Sequence, residues 1–141
     1  MPAASNEVQV RYSETGAQGF VYHANYYSWY ELVQYEFLRN RGYSFEDLES
    51  RGVLFTITDI RTKFYAPAKF GDRLKIDMYV DDVNKIRMNV RFIITRISDS
   101  VKIAESTAVY ACVNGNFKPL LLERAIPELY EQIRAECPKA E

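Results

Sequence analysis

The sequence predicts an α+β fold in which a curved antiparallel β-sheet wraps around one long α-helix. Three observations lead there. One long helical pattern, dense in aromatic residues, runs from Asn25 to Arg41. From Val53 to Val113 the apolar residues recur with the two-residue period of strands. The links between those strands are short, which forces antiparallel neighbours. A sheet of this kind buries one face and needs an apolar partner, and the long helix is the only one on offer.

The first strand is read from Val8, Val10 and Tyr12, which alternate with Gln9 and Arg11. The residues before it, 1–6, are small and polar and are expected to fray, as is the tail 138–141. Ser13–Gly19 carries two glycines and reads as a loop. In the long helix Tyr26, Trp29, Tyr30, Val33 and Phe37 form the buried stripe, with Asn25 as N-cap and Gly42 closing the end. Ser44-Phe-Glu-Asp47 opens a short second helix with an imperfect capping box, Asp standing where Glu is usual.

Four strand patterns follow. Val53–Phe64 is apolar and β-branched and is closed by Tyr65-Ala-Pro67. Leu74, Ile76, Met78 and Val80 alternate with polar residues, as do Met88, Val90, Phe92 and Ile94. Ile103–Val113 is the last, and Gly71-Asp72, Asp82–Lys85, Ser98–Ser100 and Asn114–Asn116 are the turns. Pro127 begins a C-terminal helix that runs to about Glu136.

The 141 residues fit one domain, spanning 1–141, and 48% hydrophobic content suffices for its core. The net charge of −1 lacks the dense basic footprint of a nucleic-acid or membrane-surface protein. No apolar run nears the ~20 residues of a membrane span, and Met1–Glu7 is not a signal peptide. The expected compartment is the cytoplasm. Cys112 lies in an apolar run and reads as a core residue. Cys137 sits in the polar tail, and the pair makes no disulfide framework. No GxSxG, GxGxxG, P-loop or metal-ligand spacing occurs, so no cofactor and no metal is expected.

The segment Val10-Arg-Tyr-Ser-Glu-Thr-Gly-Ala-Gln-Gly-Phe-Val-Tyr-His-Ala-Asn-Tyr26 resembles the 4-hydroxybenzoyl-CoA thioesterase-like family of hot-dog proteins. Trp29-Tyr30-Glu31, Leu38 with Gly42-Tyr43, and Tyr65-Ala-Pro-Ala68 with Gly71-Asp72 extend the likeness. The resemblance implies a hot-dog fold and hydrolysis of an acyl-CoA or acyl-carrier-protein thioester. It also implies a homodimer or tetramer with sites at the interface. In such enzymes an aspartate stands beside the thioester carbonyl as nucleophile or base, and amides at the start of the central helix hold its oxygen.

Here that aspartate position is Gly16, and glycine can neither attack a carbonyl nor take a proton. Three explanations stay open: a variant whose acid has been removed, another group in its place, or binding without hydrolysis. A different reaction at the same carbonyl, such as hydration or dehydration, is a weaker alternative. The substitute acid implied by a second branch of hot-dog enzymes is Glu31, whose spacing from His23 resembles that branch. Otherwise Glu31 supports the loop. Glu14 reads as a loop-fixing carboxylate. His23 offers its backbone N–H to the substrate, and its imidazole either orders the loop or acts as a base. Asn25 holds a water or caps the helix. Tyr22, Tyr26 and Tyr30 are expected against the acyl group. Lys63, Lys69, Arg91 and Lys118 are candidates for the phosphates of CoA. Cys112 is an unpromising nucleophile.

Overall fold

The computed structural model describes residues 1–138 and contains five strands and four helices among them. In chain order these are β1 (Ala4–Gln9), a 3-10 turn (Tyr12–Glu14), α1 (Ala24–Arg39), α2 (Phe45–Ser50), β2 (Leu54–Phe64), β3 (Arg73–Val83), β4 (Arg87–Arg96), β5 (Lys102–Val113), α3 (Leu122–Ala125) and α4 (Pro127–Glu136). The strands form one antiparallel sheet in the order β1-β3-β4-β5-β2. Register shifts at Ile57/Asp59, Val80/Asp82 and Ile94/Thr95 mark bulges. Each bulge bends its strand and adds twist, so together they curl the sheet.

The concave face is lined by Leu74, Ile76 and Met78 of β3 and by Met88, Val90, Phe92 and Ile94 of β4, all buried. Strand β5 adds the small buried side chains Ala104, Ser106 and Ala108, which leave space for large rings from the helix. Tyr26, Trp29, Tyr30, Val33 and Phe37 of α1 fill it, the same stripe the helical spacing predicts. Tyr30 stacks on Phe92 with ring centroids 4.2 Å apart and planes 11° apart. Such a pair adds about 0.5–1.5 kcal/mol beyond burial alone.

Tyr30 also carries a polar atom into the core. Its hydroxyl bonds Ser106 Oγ at 2.7 Å, and Ser106 Oγ in turn lies 2.7 Å from Thr62 Oγ1 on β2. The hydroxyl of Tyr27 lies 3.4 Å from the same Thr62 oxygen. Buried hydroxyls must be partnered, and this chain of hydroxyls fixes how far α1 is turned about its own axis.

Several ends differ from the sequence reading. Strand β1 begins at Ala4, so residues 4–6, expected to fray, pair with Met78, Asp77 and Ile76 of β3. Apart from Pro138, the tail expected to be flexible lies outside the described residues. Asn25 does not cap α1: the N-cap is His23. The helix ends two residues early, and Gly42 closes the following turn at φ +87°, a conformation that favours glycine. In α2 the box closes fully. Ser44 N–H donates to Asp47 Oδ2 at 3.1 Å, and Asp47 N–H donates to Ser44 Oγ at 3.0 Å. The α3 turn at Leu122–Ala125 is too short for periodicity to reveal.

Replacing Ser106 by alanine leaves the Tyr30 hydroxyl buried and poorly partnered. The expected loss is about 1–3 kcal/mol, read as a lower urea midpoint with unchanged slope. A midpoint within error of the parent would show that the hydroxyl chain contributes nothing to seating the helix.

Candidate functional site

The site is built where the loop before α1 folds back on itself. Thr15 bridges Val21 in antiparallel fashion, Gly16 N–H donates to Phe20 O at 2.9 Å, and Gly19 N–H donates to Gly16 O at 3.0 Å. This small hairpin lies on the β2–β3 connection through Val21 N–H, which donates to Ala68 O at 2.8 Å, and through a bridge from Phe20 to Lys69.

The chain then enters α1. The first turn is tight: Asn25 N–H donates to Tyr22 O at 2.9 Å and Tyr26 N–H to His23 O at 3.2 Å. Among the described residues, the N–H groups of His23 and Ala24 donate to no protein acceptor. They stand at the positive end of a 16-residue helix. They lie neither in mid-strand nor in sheet pairing.

Beside them opens a cavity of about 800 Å³. Gly16, Tyr22, His23 and Tyr26 all line it, so four of the residues singled out from sequence meet there. The opposite wall comes from Phe64, Tyr65 and Pro67 at the end of β2, and Phe20 and Gln18 complete the loop side. Tyr26 is buried between Trp29 and Phe64, with ring centroids at 5.4 and 5.6 Å, and burial holds its phenol above the ordinary tyrosine range. The rings of Tyr22 and His23 lie 4.6 Å apart. The lining contains no Asp and no Glu.

The other candidates lie elsewhere. Tyr30 does not line the cavity, because its ring is in the core and its hydroxyl is committed to Ser106. Asn25 points the other way: its Nδ2 donates to the carbonyl oxygen of Glu14 at 2.8 Å. Glu31 is exposed, and it lines a separate cavity of about 390 Å³ between α1 and the first half of β2, with Gln34, Thr56 and Tyr110. Lys63 and Lys69 are exposed neighbours of wall residues rather than lining residues, and Lys63 Nζ sits 5.5 Å over the Tyr65 ring. Arg91 pairs with Asp81 and stacks on Tyr79, and Lys118 lies in a turn.

Glu14 is buried and serves the loop. Its Oε1 accepts Arg11 N–H at 2.8 Å, and its Oε2 accepts the Trp29 indole N–H at 3.1 Å. Sequence reasoning missed Phe20, Phe64, Tyr65 and Pro67 as lining residues. Tyr65-Ala-Pro67 was the available signal, since a Pro after an aromatic run closes a strand where two elements meet.

A sheet curled about one helix, with a cavity at the helix start lined by His23, is the hot-dog arrangement. The chain belongs to the thioesterase superfamily, whose sequence pattern matches residues 18–103. The Escherichia coli acyl-CoA thioester hydrolase YbgC is 30% identical over 128 residues, covering 89% of this chain and 93% of its own. The Bacillus subtilis protein YneP is 30% identical over 129 residues, covering 91% and 93%. Among solved structures, a DHNA-CoA thioesterase from Staphylococcus aureus superimposes with TM-score 0.85 at 24% identity, covering 91% of this chain and 86% of that one. The Staphylococcus aureus protein SAV2348, solved in complex with CoA, gives 0.82 at 14% identity, covering 97% and 87%. At such identities the structures speak for the fold. No helix among the described residues is long and apolar enough to cross a membrane.

Both cysteines are free. Burial pushes the Cys112 thiol up to about 11, so its thiolate is scarce at neutral pH. At pH 8, iodoacetamide is expected to label Cys112 roughly 100-fold slower in the native protein than in urea. The Cys112→Ala variant should keep its turnover. Rapid native labelling together with lost turnover would make this thiol part of the chemistry.

Proposed function

We propose that this protein hydrolyses acyl-CoA thioesters to a carboxylic acid and CoA, with the thioester carbonyl lodged in the cavity at the start of α1. The observation that carries the reading is the unengaged pair of amides at His23 and Ala24. The carbonyl oxygen gains negative charge when the thioester is attacked. Donors already aimed at that point, at a helix N-terminus, need no reorganisation as the charge develops. In other hydrolases, loss of one such donor costs about 2.7–4 kcal/mol. Tyr22 and Tyr26 flank the acyl group. Lys63 and Lys69 stand outside the mouth, where the phosphates of CoA would lie. The reaction belongs to the cytoplasm, where two free thiols stay reduced. An acyl-carrier-protein thioester is the other carrier the mouth admits.

The attacking acid is the open part of the site, and a second copy of the chain supplies it. Strand β2 is an 11-residue sheet edge with Leu54, Ile57 and Phe64 exposed, and Tyr27 and Leu32 of α1 are exposed as well. An edge of that length and character needs covering. Pairing β2 with its copy about a two-fold axis at Ile60 sets Asp59 of one copy opposite Arg61 of the other. The same operation brings residues 54–57 of one copy beside residues 63–66 of the other. The cavity holding Glu31 then adjoins the partner copy's amide-bearing cavity. Glu31 becomes the base or nucleophile across the interface, and the working unit is a homodimer, able to pair further into a tetramer.

One observation favours a second reading, binding of acyl thioesters without hydrolysis: no carboxylate lines the amide-bearing cavity of the single chain. Backbone geometry does not demand glycine at position 16. A Cβ there would meet only Phe20 O, at an ordinary 3.8 Å.

Turnover of aromatic and aliphatic acyl-CoA thioesters by Glu31→Gln and Gly16→Asp separates these readings. Glu31→Gln should lower kcat by about 10²–10⁴, and Gly16→Asp should restore turnover in that background. If the unaltered chain binds acyl-CoA but never cleaves it, and Gly16→Asp creates activity, the binding reading wins. Sedimentation at micromolar concentration should give at least twice the 16.4 kDa of one chain. A clean monomer would remove Glu31 from the mechanism.

A further inference from the structure

We propose that Glu14 is the positioning residue that holds both walls of the reacting centre in register, a role that rests on the hydrolytic reading above. Glu14 is 8% exposed. Burying a carboxylate is costly unless each oxygen is met by donors, so its surroundings show what it is for.

The Glu14 side chain faces two elements. Oε1 accepts the Arg11 N–H at 2.8 Å, with the Arg11 Nε at 3.5 Å, which ties the end of the first strand region. Oε2 accepts the Trp29 indole N–H at 3.1 Å, which ties the second turn of α1. Trp29 is itself buried and packed edge-on against Tyr26, a wall residue of the cavity.

The Glu14 main chain faces the site. Its carbonyl oxygen accepts Tyr22 N–H at 2.9 Å and Asn25 Nδ2 at 2.8 Å. Those donors bracket His23 and Ala24, whose amides are the free pair. Two residues downstream is Gly16, which lines the same cavity as His23 and is joined through Thr15, which pairs with Val21. The backbone at Glu14 therefore fixes the amides on one side and the hairpin bearing residue 16 on the other. The carboxylate fixes Glu14 to the body of the helix. Displacing the amides by a fraction of an ångström weakens them only when the oxyanion forms, because the ground-state carbonyl asks less of them. Glu14 touches no substrate, so its loss acts on kcat rather than on KM.

A carboxylate suits the place better than an amide. It presents acceptors on both oxygens to donors arriving from Arg11 and Trp29. Glutamine would offer one acceptor oxygen and turn an NH₂ group toward a second donor. Glu14→Gln is therefore a graded perturbation and Glu14→Ala a full one.

The single tryptophan gives a direct reporter. In an ¹H–¹⁵N correlation spectrum the one indole signal reads the Trp29–Glu14 bond, and the backbone signals of residues 21–26 read the helix start. Glu14→Ala is expected to move the indole signal and to speed hydrogen exchange at the bonded amides of Tyr22, Asn25 and Tyr26 at least tenfold, with the β3 and β4 amides unchanged. With an aromatic acyl-CoA as substrate, kcat should fall about 10–100-fold while KM stays within about twofold. Glu14→Gln should lie between. Trp29→Phe, which keeps the packing and removes one donor, should give a smaller fall of the same kind.

Unchanged exchange at Tyr22, Asn25 and Tyr26 in Glu14→Gln and Trp29→Phe would overturn the positioning role, as would a rise in KM at constant kcat. If Glu14→Ala does not fold, these two variants decide the matter. If the parent cleaves no acyl-CoA, the hydrolytic reading fails by itself, and the exchange data alone still decide whether Glu14 positions the amides.

Discussion

Seating one aromatic-rich helix in the hollow of a curled sheet is the constraint from which the remaining features follow. Tyr30 shows how it is met. Its ring stacks on Phe92 of β4 and its hydroxyl reaches Ser106 of β5, so one side chain fixes both the depth and the rotation of α1. Small residues on β5 admit the ring, and bulges in the strands let the sheet curl around it. Once rotation is fixed, the stripe of Tyr26, Trp29 and Val33 must face inward and Tyr27 and Glu31 must face out along β2. The direction in which the helix start points is then fixed as well.

That direction makes the site. A helix leaves its first amides without partners inside itself, and most helices satisfy some of them with a side-chain cap. Here the N-cap is His23, in helical conformation and without a side-chain cap bond. Asn25, which has the chemistry to cap, donates backward to Glu14 O instead. Capping would consume the donors that the proposed carbonyl chemistry uses. The fold thus forgoes about 1 kcal/mol of capping stability and leaves the His23 and Ala24 amides without a protein acceptor at the cavity's edge.

The sequence made the architecture legible because the signals were periodic. The helical stripe, the switch to period two at Val53 and the turn clusters each carry their own geometry, and all point to one arrangement. The site was half legible. Gly16, Tyr22, His23 and Tyr26 lie close together in sequence around one loop and helix start, and they meet in one cavity. Tyr30 was misassigned because helical spacing says that a residue is on the inner face but not whether that face is cavity or core. Asn25 was misassigned as a cap because capping preference is a local rule that does not fix the helix start: α1 begins at Ala24 with His23 as N-cap, so Asn25 lies inside the first turn and turns its Nδ2 to Glu14 O. The Phe64–Pro67 wall was not seen, since only the closing of the sheet brings residues some forty positions away against the helix start.

The glycine at position 16 gains its meaning from this geometry. Gly42 has a backbone reason to be glycine, at φ +87°. Gly16 has none: its φ is not in the left-handed region, and a side chain there would meet only one carbonyl oxygen at van der Waals distance. The backbone therefore does not require the absence of a side chain at position 16. The loop that carries Gly16 is well bonded, through the hairpin bonds from Gly16 to Phe20 and the clamp at Glu14. On the reading proposed above, a site with amide donors and no local carboxylate either takes its acid from outside the single chain or stops at binding. Glu31, exposed along the same sheet edge that most needs a partner, is where the first of those possibilities becomes physical.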